Sequence, residues 1–132
     1  MDNPLRSVGA VIAGIFVGVV LTVATDALLH AMGVFPPVGK YTPDGPLALA
    51  TVYRVIYSIL ASYVTARVAP NWPMRHALVG GGIGLVLSTV GAVITWDMNL
   101  GAHWYSIAVA AIAMPCAWVG GLLYERRAGA RA

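Results

Sequence analysis

From Val8 to Thr25 the chain runs without a single charged residue, and its apolar character resumes past Asp26 as far as Phe35. About 20 predominantly apolar residues cross a bilayer as a helix, so this run fits lipid better than the core of a small soluble domain. A cleaved secretory leader, with Arg6 as its basic head, is the competing reading. Leader cores are usually about 7–15 residues long, and this run exceeds that, so it reads as a retained span.

The pattern recurs. Gly33 to Pro46 holds Pro36, Pro37, Pro43 and Pro46 with Gly39 and Gly45, a composition that denies helix and sheet and predicts an extended loop, with a turn at Thr42-Pro43-Asp44-Gly45. Apolar runs then return at about 47–69, 77–98 and 104–124. With the first at about 8–32, they divide all 132 residues into one transmembrane domain of four spans. Charged residues make up 10% of the chain and hydrophobic ones 59%, against about 25% charged in a soluble domain. The expected fold class is therefore all-α: an integral membrane four-helix antiparallel bundle. The net charge of +3 comes from arginines that flank the apolar runs, which argues for a lipid bilayer partner and no nucleic acid. Arginine outnumbers lysine seven to one, and alanine, glycine and valine abound, as in proteins of GC-rich bacteria. Cys116 is the sole cysteine, so neither an internal disulfide nor a cysteine-rich metal cluster is available.

Charge also orients the chain. Arg6, Arg67, Arg75, Arg126, Arg127 and Arg131 fall on one side and only Lys40 on the other. The positive-inside rule then puts the N and C termini in the cytoplasm and predicts a multi-pass protein of a bacterial inner membrane. Tyr41, Tyr53, Trp96, Trp104 and Tyr105 read as anchors at the outer interface; Trp72, Trp118, Tyr124 and Tyr63 read as anchors at the inner one. Small residues step along three spans: Ala10, Gly14, Gly18 and Thr22; Gly80, Gly84, Ser88, Gly91 and Thr95; Ser106, Ala110, Ala113, Ala117 and Gly121. In lipid such stripes let backbones approach closely. Pro115 removes one donor from the fourth span and presses on the carbonyl of Ala111, which predicts a kink.

Depth singles out the chemistry. Asp26 lies about six residues from the outer end of the first span, roughly 9 Å deep at about 1.5 Å per residue, and Arg54 lies about 10 Å into the second. Neighbouring antiparallel spans bring the two together. A lone charge at that depth costs a few kcal/mol, so an Asp26–Arg54 ion pair is expected, with Tyr57 donating to the carboxylate. His30 stands one turn above Asp26, and Asp97 and His103 end the third and fourth spans. The candidate polar site is thus Asp26, His30, Arg54, Tyr57, Asp97 and His103, all in the outer third. A metal held by Asp26, His30, Asp97 and His103 is a sharper alternative, though Arg54 would sit beside the cation. No catalytic, cofactor-binding or metal motif is present, and Gly80-Gly81-Gly82-Ile83-Gly84 lacks the preceding strand of a phosphate loop.

Thr25-Asp26 with Gly33-Val34-Phe35-Pro36-Pro37, Tyr53-Arg54 with Thr65-Ala66-Arg67-Val68-Ala69-Pro70, Pro73-Met74-Arg75-His76 and His103-Trp104-Tyr105 together resemble a widespread type of small four-span bacterial membrane protein of unknown function, a likeness that implies no activity. The small multidrug exporters share the size and the single acid in the first span, but theirs lies near the midplane. The leading expectation is a non-enzymatic polytopic membrane protein, an accessory or assembly factor that meets a homo-oligomer mate or another membrane protein through its small-residue faces. The alternative is a small-solute or proton-coupled transporter or channel using the outer polar site. A lipid-facing enzyme or metal-binding protein is the third.

Overall fold

A computed structural model describes residues 4–37 and 39–131. Four helices make up almost all of it: α1 Pro4–Ala31, α2 Asp44–Val68, α3 Pro73–Thr95 and α4 His103–Arg131, with a short 3₁₀ turn at Trp96–Met98 between α3 and α4. Each of the four is long and apolar enough to cross a membrane.

The helix ends follow from backbone chemistry. α1 closes where Gly33 takes φ +78°, a left-handed conformation that costs a residue without Cβ little. There Val34 N–H donates to the Leu29 carbonyl at 3.0 Å and Gly33 N–H to that of His30 at 3.2 Å, so carbonyls left over at the helix end are satisfied. α2 begins earlier than its sequence pattern predicts. Asp44, Gly45 and Pro46 form its first turn rather than a loop turn. A proline in the first turn lacks only a donor that would have no intrahelical partner, and the Asp44 carboxylate complements the positive helix end. α3 starts on Pro73, just after Trp72 in the left-handed region at φ +45°. α4 runs through Pro115 without a break and continues past Tyr124 to Arg131, so the basic stretch beyond the expected end of the fourth span extends the helix. Val38 and Ala132 lie outside the described residues.

α2 packs against α1 and α4, and α4 against α3; α1 and α3 meet less extensively. The buried apolar positions are mostly small: Ala10, Ala66, Ala77 and Ala117 are fully enclosed, and no large side chain is. Phe16, Val19, Val23, Val86, Val93 and Ile94 point outward instead, about half exposed or more. This reverses the soluble pattern and suits a solvent of lipid tails, where close backbone contact provides the association. A Cβ on Gly14 would fall 1.7 Å from Thr65 Oγ1 and 2.7 Å from the Ala61 carbonyl oxygen; one on Gly18 would fall 3.1 Å from Ala61 Cβ. The first-span stripe thus faces α2 as its spacing predicts. On α3 the tight contact is Gly81 against Ala117, not the expected Gly80, Gly84 and Gly91 row. On α4, Gly120 lies against the backbone of Ile59 and Tyr63, a contact its sequence position did not announce.

One end is clasped through its loops. Thr42 N–H donates to the Leu100 carbonyl at 2.8 Å, a parallel bridge pairs Thr42 with Gly101, and Trp104 Nε1–H donates to Asp44 Oδ1 at 3.0 Å. The C-terminal end of α1, the N-terminal end of α2, the 3₁₀ turn and the start of α4 therefore gather around one opening.

Gly14→Ala should lower stability by about 1–3 kcal/mol, the range for overpacking a filled site. Gly9→Ala, where nothing lies within 4 Å of the added carbon, should be neutral or slightly stabilising. Adding Thr65→Ala to Gly14→Ala should recover part of the loss. Unfolding titrations in mixed detergent micelles read all three. Equal effects at Gly9 and Gly14 would refute the close α1–α2 approach.

Candidate functional site: a polar vestibule at the clasped end

The site grows from Asp26, five residues from the end of α1. Its Oδ2 lies 2.9 Å from Arg54 Nη2 on α2, so the depth argument brings together the right pair. The other carboxylate oxygen accepts a short hydrogen bond from the Tyr53 hydroxyl. Tyr53 and Arg54 are adjacent on α2, about 100° apart around the helix, and straddle the carboxylate. Arg54 Cζ stands 6.0 Å from the centre of the Tyr105 ring on α4, at the edge of the cation–π range. A charge on α1 is thereby tied to α2 and, through the guanidinium, to α4. The two charged side chains keep 29% and 28% exposure, so the pair is neither dry nor fully screened. Arg54 Nε is enclosed and has no hydrogen-bond partner among the described residues.

Around this pair lies a cavity of about 270 Å³. Asp26, Arg54, Tyr53 and Tyr105 form its polar floor; His30, Trp96 and His103 stand in its wall. His30 Nδ1 sits 2.7 Å from the Asp26 carbonyl oxygen. A carbonyl only accepts, so Nδ1 carries the proton and donates. The His30 ring meets Phe35 edge-on at 5.2 Å. His103 Nε2 donates to the Trp96 carbonyl at 3.0 Å, and its ring stacks on Trp96 with centroids 3.8 Å apart. Each histidine braces a helix end and lines the cavity.

Two of the sequence assignments are corrected. Tyr57 does not reach Asp26. Its hydroxyl lies 2.8 Å from Thr25 Oγ1, and Thr25 already donates to the Leu21 carbonyl at 2.8 Å, so Tyr57 is the donor to Thr25. Tyr53 and Tyr57 lie on nearly the same face of α2, one turn or roughly 6 Å apart, and Tyr53, level with the carboxylate, takes the role assigned to Tyr57. Asp97 lies outside the vestibule. It is exposed on the 3₁₀ turn and lines a separate groove with Val93, Trp96 and Ile107. Among the described residues, no three of His, Cys, Asp and Glu gather closely enough to hold a metal ion, so the four-ligand set of the metal reading does not form.

Tyr53, Tyr105 and Trp96 belong to the site although the sequence pointed to interface anchors. Tyr53 is 8% exposed and packs with Phe35 and Ala50. The one signal for it was its adjacency to Arg54, because a buried tyrosine hydroxyl needs a partner.

One turn below the vestibule lies a second cavity of about 250 Å³. Thr22, Ser58, Ser62, Thr65 and Ser88 line it, among Gly14, Gly18, Gly80 and Gly84. Thr22 is four residues from Asp26 and Ser58 four from Arg54, so the two spaces follow the same helix faces. The Tyr57–Thr25 hydrogen bond spans the level between them.

Asp26→Asn and Arg54→Gln should be less than additive in a thermal-stability cycle, with a coupling of about 0.5–3 kcal/mol. Additive losses would refute the pair. Tyr53→Phe should cost about 1.5–3 kcal/mol, as for a hydrogen bond to a charged group, and should couple to Asp26→Asn. Tyr57→Phe should couple to Thr25→Val and leave the Asp26 variants unaffected.

No protein-family model matches this chain, and neither the curated proteins nor the solved structures contain a significant match to it.

Proposed function

We propose that this chain is a multi-pass protein of a bacterial inner membrane, an antiparallel four-helix bundle with both termini in the cytoplasm, which binds a small polar solute in its outer vestibule and passes it toward the inner cavity. The observation that carries this reading is the succession of two cavities along the same faces of α1 and α2, the outer walled in part by Asp26 and Arg54 and the inner by Thr22, Ser58, Ser62, Thr65 and Ser88. A helix association that needed only packing has no use for hydroxyl-lined volume in a membrane, where each polar group is costly unless it is satisfied. The vestibule, at about 270 Å³, falls at the low edge of ordinary small-molecule pockets, about 300–1,000 Å³. Its occupant is therefore small. Arg54 and Asp26 offer it one cationic and one anionic neighbour, and the histidine edges offer polar contacts at the rim.

The accessory reading draws on small-residue faces left open for a partner. Gly14, Gly18, Gly81, Gly120 and Gly121 are occupied by contacts within the chain, which weakens that reading on α1 and α4. Gly91 of α3 has no neighbour within 4 Å of an added carbon, whereas Gly84 faces the inner cavity, so little of the α3 stripe is left for a partner.

Reconstituted vesicles provide the test, with stopped-flow swelling against a series of small polar solutes at several pH values. At least one solute should enter faster than into empty vesicles. Asp26→Asn should abolish the difference while the helical circular dichroism signal persists, and Tyr57→Ala should raise the rate by removing the bond between the cavities. If no solute enters faster and the gently extracted protein carries a second membrane protein, the accessory reading replaces this one.

A further inference from the structure

A third space lies at the opposite end from the vestibule. A groove of about 420 Å³ runs along the seam between α1 and α3, walled by Val8, Val11, Ile12 and Ile15 on one side and Val79 and Ile83 on the other. Its open end carries Ser7, Arg75 and His76. Both helices begin at this end, so Ser7 and Arg75 stand near the mouth while Ile15 and Ile83 share the depth. Eight residues separate mouth from depth on each helix, roughly 12 Å. The seam is open because α1 packs mainly on α2 and α3 mainly on α4.

The mouth is basic. Arg75 is exposed, with its guanidinium 5.0 Å over the Trp72 ring and no carboxylate partner among the described residues. His76 donates from Nδ1 to the Trp72 carbonyl at 3.1 Å, which fixes its ring beside Arg75. Arg67, at the end of α2, adds charge at the same end of the molecule. Below the mouth the walls are aliphatic throughout. An apolar slot topped by a fixed cation and an indole matches a molecule with a hydrocarbon tail and an anionic head at the membrane surface. Basic pockets between membrane helices on the cytoplasmic side recruit such lipids. A single acyl chain is narrow enough to lie along the groove.

We propose that the α1–α3 groove is a binding site for one anionic phospholipid, with an acyl chain against Val8, Ile12, Val79 and Ile83 and the headgroup phosphate on Arg75. The site is separate from the vestibule and does not depend on the solute reading; it requires only that the helices lie in a membrane.

Native mass spectrometry of the delipidated full chain in detergent tests it, with phosphatidylglycerol and phosphatidylcholine added in equal amounts. The wild type should retain one phosphatidylglycerol per chain, preferred about fivefold or more, as expected for at least one basic residue near the headgroup. Arg75→Gln should remove the preference. Ile12→Trp should block retention of either lipid, and Val79→Phe, on the facing helix, should do the same, which guards against one variant failing to fold. Glycerol 3-phosphate alone should neither bind nor compete, which separates a lipid from a free phosphate ester. Equal retention of the two lipids by the wild type, an undiminished preference in Arg75→Gln, or binding of the free phosphate ester would each overturn the proposal. So would a lipid-free dimer that both groove-filling variants dissociate, since a second copy would then occupy the seam.

Discussion

An ionised carboxylate some 9 Å inside a low-dielectric layer costs several kcal/mol unless something answers it. The clasped end of this protein is arranged around that requirement. Arg54 neutralises Asp26, Tyr53 satisfies the second oxygen, and Tyr105 faces the far side of the guanidinium. Three helices converge on one charge. The loop contacts between Thr42 and Leu100 and between Asp44 and Trp104 sit directly above and close the same end. The vestibule is the space that remains once these groups have been satisfied from the side.

The other half of the molecule is held differently. Its closest contacts are made at glycine and alanine: Gly14 and Gly120 against α2, Gly81 against Ala117, and Gly121 against Ala77. Close approach there leaves hydroxyl-lined volume where two small faces meet, and an open seam where large aliphatic residues hold α1 and α3 apart. One mechanism of helix association thus yields both the inner cavity and the groove.

Much of the architecture was legible in the amino-acid sequence because lipid imposes a simple rule. Uninterrupted apolar runs of sufficient length become helices, and all four were located. The errors fall where local chemistry overrides that rule. Asp44-Gly45-Pro46 reads as a loop because glycine and proline break helices, yet a first turn tolerates them. Glu125 to Arg131 reads as a tail because it is charged, but a helix can leave the lipid without ending. Depth, which follows from counting residues, paired Asp26 with Arg54. Direction around the helix does not follow so easily. One turn of depth separates Tyr57 from Tyr53, about 100° of direction separates Gly80 from Gly81, and Asp97 stands on a 3₁₀ turn outside the vestibule.

The 28-residue separation of Asp26 and Arg54 would also bear on how such helices enter a membrane. At typical synthesis rates of about 5–20 residues per second, Asp26 exists for roughly 1–6 seconds before its partner has been made. During that interval the first apolar run would have to cross the membrane with an unanswered charge. The arrangement therefore favours insertion of α1 and α2 as one hairpin, with the acid held at the surface until the base arrives. Tyr53 and Arg54 emerge together, so the whole answer to Asp26 is delivered within two residues of synthesis. The ion pair that organises the finished vestibule is thus also a constraint on the order in which its helices are committed to lipid.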